Sequence, residues 1–173
     1  MAFADHPRQE LLLPAKGSFI AFSLMLGLMF NLIPLTGIAL ALKPDFVILV
    51  VLYWCINQPQ RVGISIAFGM GLLMDLGNAN TFGQHALVYS VMAFIALTYH
   101  RRLNNFAPLQ QAPQIGLILL LGQSITLLLG VLNGTPFPGL GFYLASFSGI
   151  LLWPLLVLLL KIPQKPRSDP NAL

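Results

Sequence analysis

The residues able to do chemistry are few, and most stand in one stretch, Lys43–Tyr99. Outside the two chain ends the only acidic residues are Asp45 and Asp75. Lys43, Asn78, Asn80, Gln84 and His85 lie in the same stretch. An ionisable group inside a membrane span is costly and turns toward protein or a water-filled cavity. Asp45 begins one apolar segment and Asp75 ends the next, so the two carboxylates can approach each other at one membrane face. Two readings follow. One is a polar pocket or docking surface at that face. The other is local, with Asp75 capping the following span or pairing with Lys43 or His85.

Bond-making chemistry finds poor support. Gly122-Gln123-Ser124 superficially resembles an intramembrane serine protease motif. Such a nucleophile needs a histidine base on a neighbouring span. The last span has none, and His85 and His100 flank the fourth span on opposite sides. Asp45 and Asp75 lack the motif context of an aspartyl pair. The histidines are too scattered to bind a metal. The single cysteine, Cys55, allows neither an internal disulfide nor a thiolate cluster and reads as a small core or lipid-facing residue. No phosphate-cradling glycine loop is present. The sequence therefore predicts no catalytic residue, cofactor site or metal site, and no enzyme.

The elements that must position these groups are membrane helices. Of 173 residues, 57% are hydrophobic and 8% charged, with mean hydropathy +0.80. A soluble domain carries about a quarter of its residues charged. Lipid must cover most of this chain, which is expected to be an all-α integral membrane protein forming one bundle. The net charge of +4 gathers at segment ends, where it sets orientation rather than binding nucleic acid.

Six spans are predicted: Gly17–Leu35, Phe46–Asn57, Val62–Leu76, Phe82–Tyr99, Gln114–Leu132 and Phe142–Leu160. The second and third are short, so they cross with their flanks or form a deep hairpin. Thr36–Asp45 is read as a loop, in which Pro44 drives its predecessor out of helical geometry and restarts the chain. Asn133–Gly141 is a Pro/Gly turn, and neighbouring helices absorb Pro154 within the last span. The first span lacks a convincing cleavage site and reads as a retained helix. Residues 1–16 form a polar lead-in, 17–161 the transmembrane domain and 162–173 a proline-rich tail expected to be disordered. With six crossings, every Lys and Arg except Lys43 falls on one side. The positive-inside rule then puts both termini in the cytoplasm and the Lys43–His85 cluster outside.

Gly63, Ala67, Gly71 and Asp75 recur every four residues along one face of the third span. Small residues at this spacing let backbones approach closely in lipid. The third span is expected to be central, carrying Asp75 into a packed interface, with a partner helix of this chain or, alternatively, of another. Tyr53 and Trp54 read as aromatic-belt anchors, and His100-Arg101-Arg102 as a headgroup contact or a docking point for a cytoplasmic partner.

Taken in order, Lys43-Pro44-Asp45, Leu52-Tyr53-Trp54, Pro59-Gln60-Arg61-Val62, Gly71-Leu72-Leu73-Met74-Asp75-Leu76, Thr81-Phe82-Gly83, Leu109-Gln110-Gln111-Ala112 and Leu152-Trp153-Pro154 resemble the rod shape-determining protein MreD family of Gram-negative bacteria. The likeness covers most of the chain and rests on order and spacing. It implies a non-enzymatic inner-membrane subunit of the cell-elongation complex. Such a subunit binds the periplasmic protein MreC and works with MreB, RodA and penicillin-binding protein 2 in peptidoglycan synthesis. It also implies a helix arrangement similar to the substrate-binding subunits of energy-coupling factor vitamin transporters. Vitamin binding is the rival function. Carried onto this chain, the resemblance singles out Pro44, Asp45, Gly71, Asp75 and Gly83 for partner binding or structure. Asp75 is the stronger candidate of the two acids, because the family does not always keep an acid after the proline.

Overall fold

The run Phe46–Asn57 (α3) is apolar on every side, and a helix of that kind belongs inside a bundle. In the computed structural model, which describes residues 15–78 and 82–164, every side chain from Val47 to Ile56 is buried. Six further α-helices accompany it among the described residues: α1 (Gly17–Leu32), α2 (Ile38–Leu42), α4 (Ile64–Asn78), α5 (Gln84–Asn104), α6 (Pro108–Leu132) and α7 (Leu144–Lys161). A 3-10 turn, Leu140–Tyr143, leads into α7. The described residues contain no strand.

α3 packs against α1, α5, α7 and α4. α4 pairs mainly with α5, and α6 fills the angle between α5 and α7. The centre is therefore α3 and not the third predicted span. α4 buries Ala67, Met70 and Asp75 on one side, and its other side exposes Ile64, Phe68, Leu73 and Leu76. Within the small-residue stripe, Gly71 meets a helix of this same chain at Ala86. Tyr53 and Trp54 are likewise core residues rather than belt anchors. The Trp54 indole donates to Ser23 Oγ at 2.9 Å, and the Tyr53 hydroxyl accepts from Gln164 at 2.9 Å. Both find polar partners inside the bundle, as buried Tyr and Trp require. Gln164 is itself buried, so this residue of the expected tail packs on α3. Most of the predicted lead-in and tail, with Asn80 and Thr81, lie outside the described residues.

Two loops shrink. The expected loop Thr36–Asp45 contains α2, and α5 continues through His100-Arg101-Arg102 to Asn104. The cations in its last turn oppose the negative end of the helix dipole. Pro108 then starts α6 at its first position, where a missing N–H costs nothing. Gln111 closes this corner. Its amide donates to Leu103 O and Phe106 O at 2.9 and 3.0 Å, and its oxygen accepts from Trp153 at 3.2 Å.

Three stretches are long and apolar enough to cross a membrane: Ile38–Asn57, Pro108–Leu132 and Gly141–Lys161. α1 and α4 are shorter apolar helices. Outward-facing Phe22, Met29, Phe94, Leu117, Phe147 and Leu151 give the bundle an apolar exterior suited to lipid.

Candidate functional site

The first amides of a helix have no intrahelical acceptor. At α5 the N-cap is Gly83, with φ +93°, a left-handed conformation that glycine adopts without strain, and with no side chain to cap the helix. Asp75, in the last turn of α4, supplies the acceptors. Its Oδ2 accepts from Gly83 N at 2.9 Å and Ala86 N at 3.3 Å, and its Oδ1 from His85 N at 2.9 Å. The His85 ring adds a fourth bond through Nδ1 at 2.7 Å. The carboxylate is 1% exposed and sits at the positive end of the helix dipole. Gly71, one turn earlier, makes this approach possible. A Cβ there would lie 2.6 Å from Ala86 N and 2.7 Å from the His85 carbonyl carbon. Gly71, Asp75 and Gly83 are thus parts of one junction, which joins α4 to α5.

Asp45 does the corresponding work at α3. As N-cap it accepts from Ile48 N at 3.2 Å. Its Oδ1 also accepts from Asn31 Nδ2 at 2.6 Å, and its Oδ2 accepts the Tyr89 hydroxyl. Asn31 answers by accepting from Phe46 N at 2.9 Å. Lys43 does not salt-bridge Asp45. Its ammonium donates to Asn31 O and Ile33 O, at 2.5 and 2.8 Å, and so satisfies carbonyls at the C-terminal end of α1. Pro44 stands between these groups, with Lys43 extended before it, as expected.

No hydrogen bond joins the two carboxylates. They are linked through α5, where the His85 and Tyr89 rings meet edge-on with centroids 5.9 Å apart. Around this link opens a cavity of about 640 Å³ at the junction of α3, α5, α6 and α7. Asn31, Lys43, Asp45, His85 and Tyr89 form its polar side. Leu49, Met92 and Leu119 carry it toward the middle of the bundle. Across from Asp45, Gln123 donates to Phe142 O at 2.9 Å and accepts the Ser146 hydroxyl. Asp75 does not line the cavity and acts on it through His85.

The arrangement suits recognition. Both carboxylates are occupied as hydrogen-bond acceptors. The Ser124 hydroxyl donates to its own helix at Leu120 O, 2.8 Å away, and its side-chain neighbour is Tyr143 at 3.3 Å, not a histidine. No group of three metal-ligating side chains occurs among the described residues. Sequence reasoning singled out Asp45, Asp75 and His85 but missed the roles of Tyr89, Gln123 and Ser146. The spacing of His85 and Tyr89 by four, one helical turn, was the available signal.

A model of the rod shape-determining protein MreD family matches residues 16–162, nearly all of the described bundle. The rod shape-determining protein MreD of Haemophilus influenzae is 32% identical over 120 residues, which cover 69% of this chain and 74% of that protein. No solved structure matches, so the likeness to vitamin-transporter subunits has no solved fold behind it. With the family matched from the start of α1 to the end of α7, this membrane chain belongs to the rod shape-determining protein MreD family.

Proposed function

We propose that the protein is a non-enzymatic scaffold of the cell-elongation complex in the bacterial inner membrane. It crosses six times, with both termini in the cytoplasm, and binds an MreC-like periplasmic protein. Through that partner it works with MreB, RodA and penicillin-binding protein 2 to control rod shape and peptidoglycan synthesis. The observation that carries the reading is the family match over residues 16–162. The geometry supports it. Lys43, Asp45 and His85 gather by the end of α1 and the starts of α3 and α5, while Arg61 lies by the start of α1 and Arg101, Arg102 and Lys161 in the last turns of α5 and α7. The polar end is built from interlocked caps and suits a docking surface that recognises a partner without bond chemistry. Pro44, Asp45, Gly71, Asp75 and Gly83 hold that surface in shape.

The cavity favours a second reading, a small-molecule (vitamin) binding subunit of an energy-coupling factor transporter. Its volume of about 640 Å³ falls in the range of ligand pockets. Purification of the tagged chain from native membranes in mild detergent, with mass spectrometry of what accompanies it, separates the two. A single-span periplasmic coiled-coil protein supports the scaffold. A transporter ATPase module supports the carrier and overturns the scaffold.

A further inference from the structure

The end of the bundle opposite the cavity has cations and, among the described residues, no carboxylate, since Asp45 and Asp75 both lie at the cavity end. Two of these cations frame a second concavity. Arg61 donates from Nη1 to Ala15 O at 2.7 Å, which pins its guanidinium beside the start of α1. Its remaining N–H groups have no partner among the described residues. Lys16, the N-cap of α1, is exposed and makes no capping bond. The first helical bonds run from Phe19 and Ile20 to Lys16 O, and among the described residues the amides of Gly17 and Ser18 have no acceptor. Below these donors runs a groove of about 390 Å³ between α1 and α4, walled by Ile20, Ala21, Leu24 and Ile66, with Gly17 and Arg61 at its mouth. Gly17 is not small for the sake of helix packing, because a Cβ there would meet nothing within 4 Å, and it leaves the mouth open. From Gly17 to Leu24 the apolar wall extends about 10 Å, roughly a third of the hydrocarbon thickness.

We propose that this groove holds one phospholipid with an anionic headgroup. The upper part of an acyl chain lies between α1 and α4. The phosphate sits on the guanidinium of Arg61, whose planar fork matches phosphate oxygens. Lys16 and the open amides of α1 add positive potential on the same side. An amphiphile of this charge and shape satisfies the cations and the apolar wall together.

Native mass spectrometry of the full chain in mild detergent, titrated with dioleoyl phosphatidylglycerol or dioleoyl phosphatidylcholine, tests the site. Both lipids carry the phosphate, but the choline of phosphatidylcholine sets a further cation beside Arg61 and Lys16. Wild type is therefore expected to retain one phosphatidylglycerol in about tenfold preference to phosphatidylcholine. Arg61→Gln should abolish that preference. Ala21→Trp, which fills the groove and leaves both cations in place, should lower retention of both lipids. Lys16→Gln, at an exposed side chain with no hydrogen bond or ion pair among the described residues, should weaken the preference without threatening the fold, so it decides the matter if Arg61→Gln does not fold. The proposal is overturned if wild type shows no preference. It is equally overturned if Ala21→Trp binds like wild type, which would reduce the contact to loose headgroup attraction.

Discussion

The Tyr89 hydroxyl donates to the Asp45 carboxylate, joining the second turn of α5 to the N-cap of α3. One acid thereby starts the central helix and ties it to its largest polar neighbour. Tyr89→Phe should remove that tie and take one donor from Asp45 Oδ2 at the partly buried cavity wall, at a cost of roughly 1 kcal/mol. A lowered thermal unfolding midpoint of the purified variant in detergent checks this, and an unchanged midpoint would refute it.

Asp75→Asn should reduce recovery of the proposed MreC-like partner more than Asp45→Asn does. Asp75 uses both oxygens as acceptors for backbone amides, so an NH2 group in either place faces another donor. At Asp45 the lone bond to Oδ2 comes from a hydroxyl, which can reverse and accept. Equal recovery in both variants and wild type, measured by co-purification, would sink the ranking.

Gly71→Val should part α4 from α5, because its side chain would strike the Ala86 backbone. Overpacking of this kind costs roughly 1–3 kcal/mol. Gly83→Ala meets no atom but must hold a positive φ, so a smaller loss of about 1 kcal/mol is expected. Denaturation of both variants side by side gives the order, and a Gly83 variant less stable than the Gly71 one contradicts it.

Trp54 and Trp153 are both fully buried. Their fluorescence should be blue-shifted and insensitive to iodide in the folded protein, and Trp54→Phe should take from Ser23 Oγ, which still donates to Ile20 O, the bond it accepts from the indole, at a cost of about 1 kcal/mol. Efficient quenching of the native protein by iodide would place one indole at the surface instead.

A reporter fused after Leu173 should be active only in the cytoplasm if the chain crosses six times with the cationic end inside. Activity confined to the periplasm would reverse the orientation of the whole bundle.

Much of this was legible in sequence and the reason differs by residue. The bounds of α3 follow from Pro44-Asp45 in front and Gln58-Pro59 behind, both local signals, so they match expectation. The cap made by Asp75 was one of two open readings, because only tertiary placement decides whether a carboxylate turns to a pocket or to the next helix. The centrality of α3 was missed. Periodicity exposes a helix with one small face, as in α4, but a helix apolar all round has no face to read. Tyr53 and Trp54 were misread for a related reason. An aromatic with a polar tip suits an interface or a core equally until its partner is known, and Gln164 lies far away in sequence.

The burial of α3 on all sides bears on how the chain is made. Its neighbours α5 and α7 follow it in the chain, so α3 enters the membrane before the surfaces that will enclose it exist. Membrane helices insert singly and associate afterwards. A helix without a polar face can wait in lipid at no penalty in any rotation. The rotation is set first against α1, through Ser23 on Trp54 and Asn31 on Asp45, and is completed when Tyr89 arrives to claim Asp45 and Gln164 to claim Tyr53. The order of synthesis and the composition of α3 are in this sense matched, and a single polar substitution facing outward from α3 would be felt during assembly before it was felt in the finished bundle.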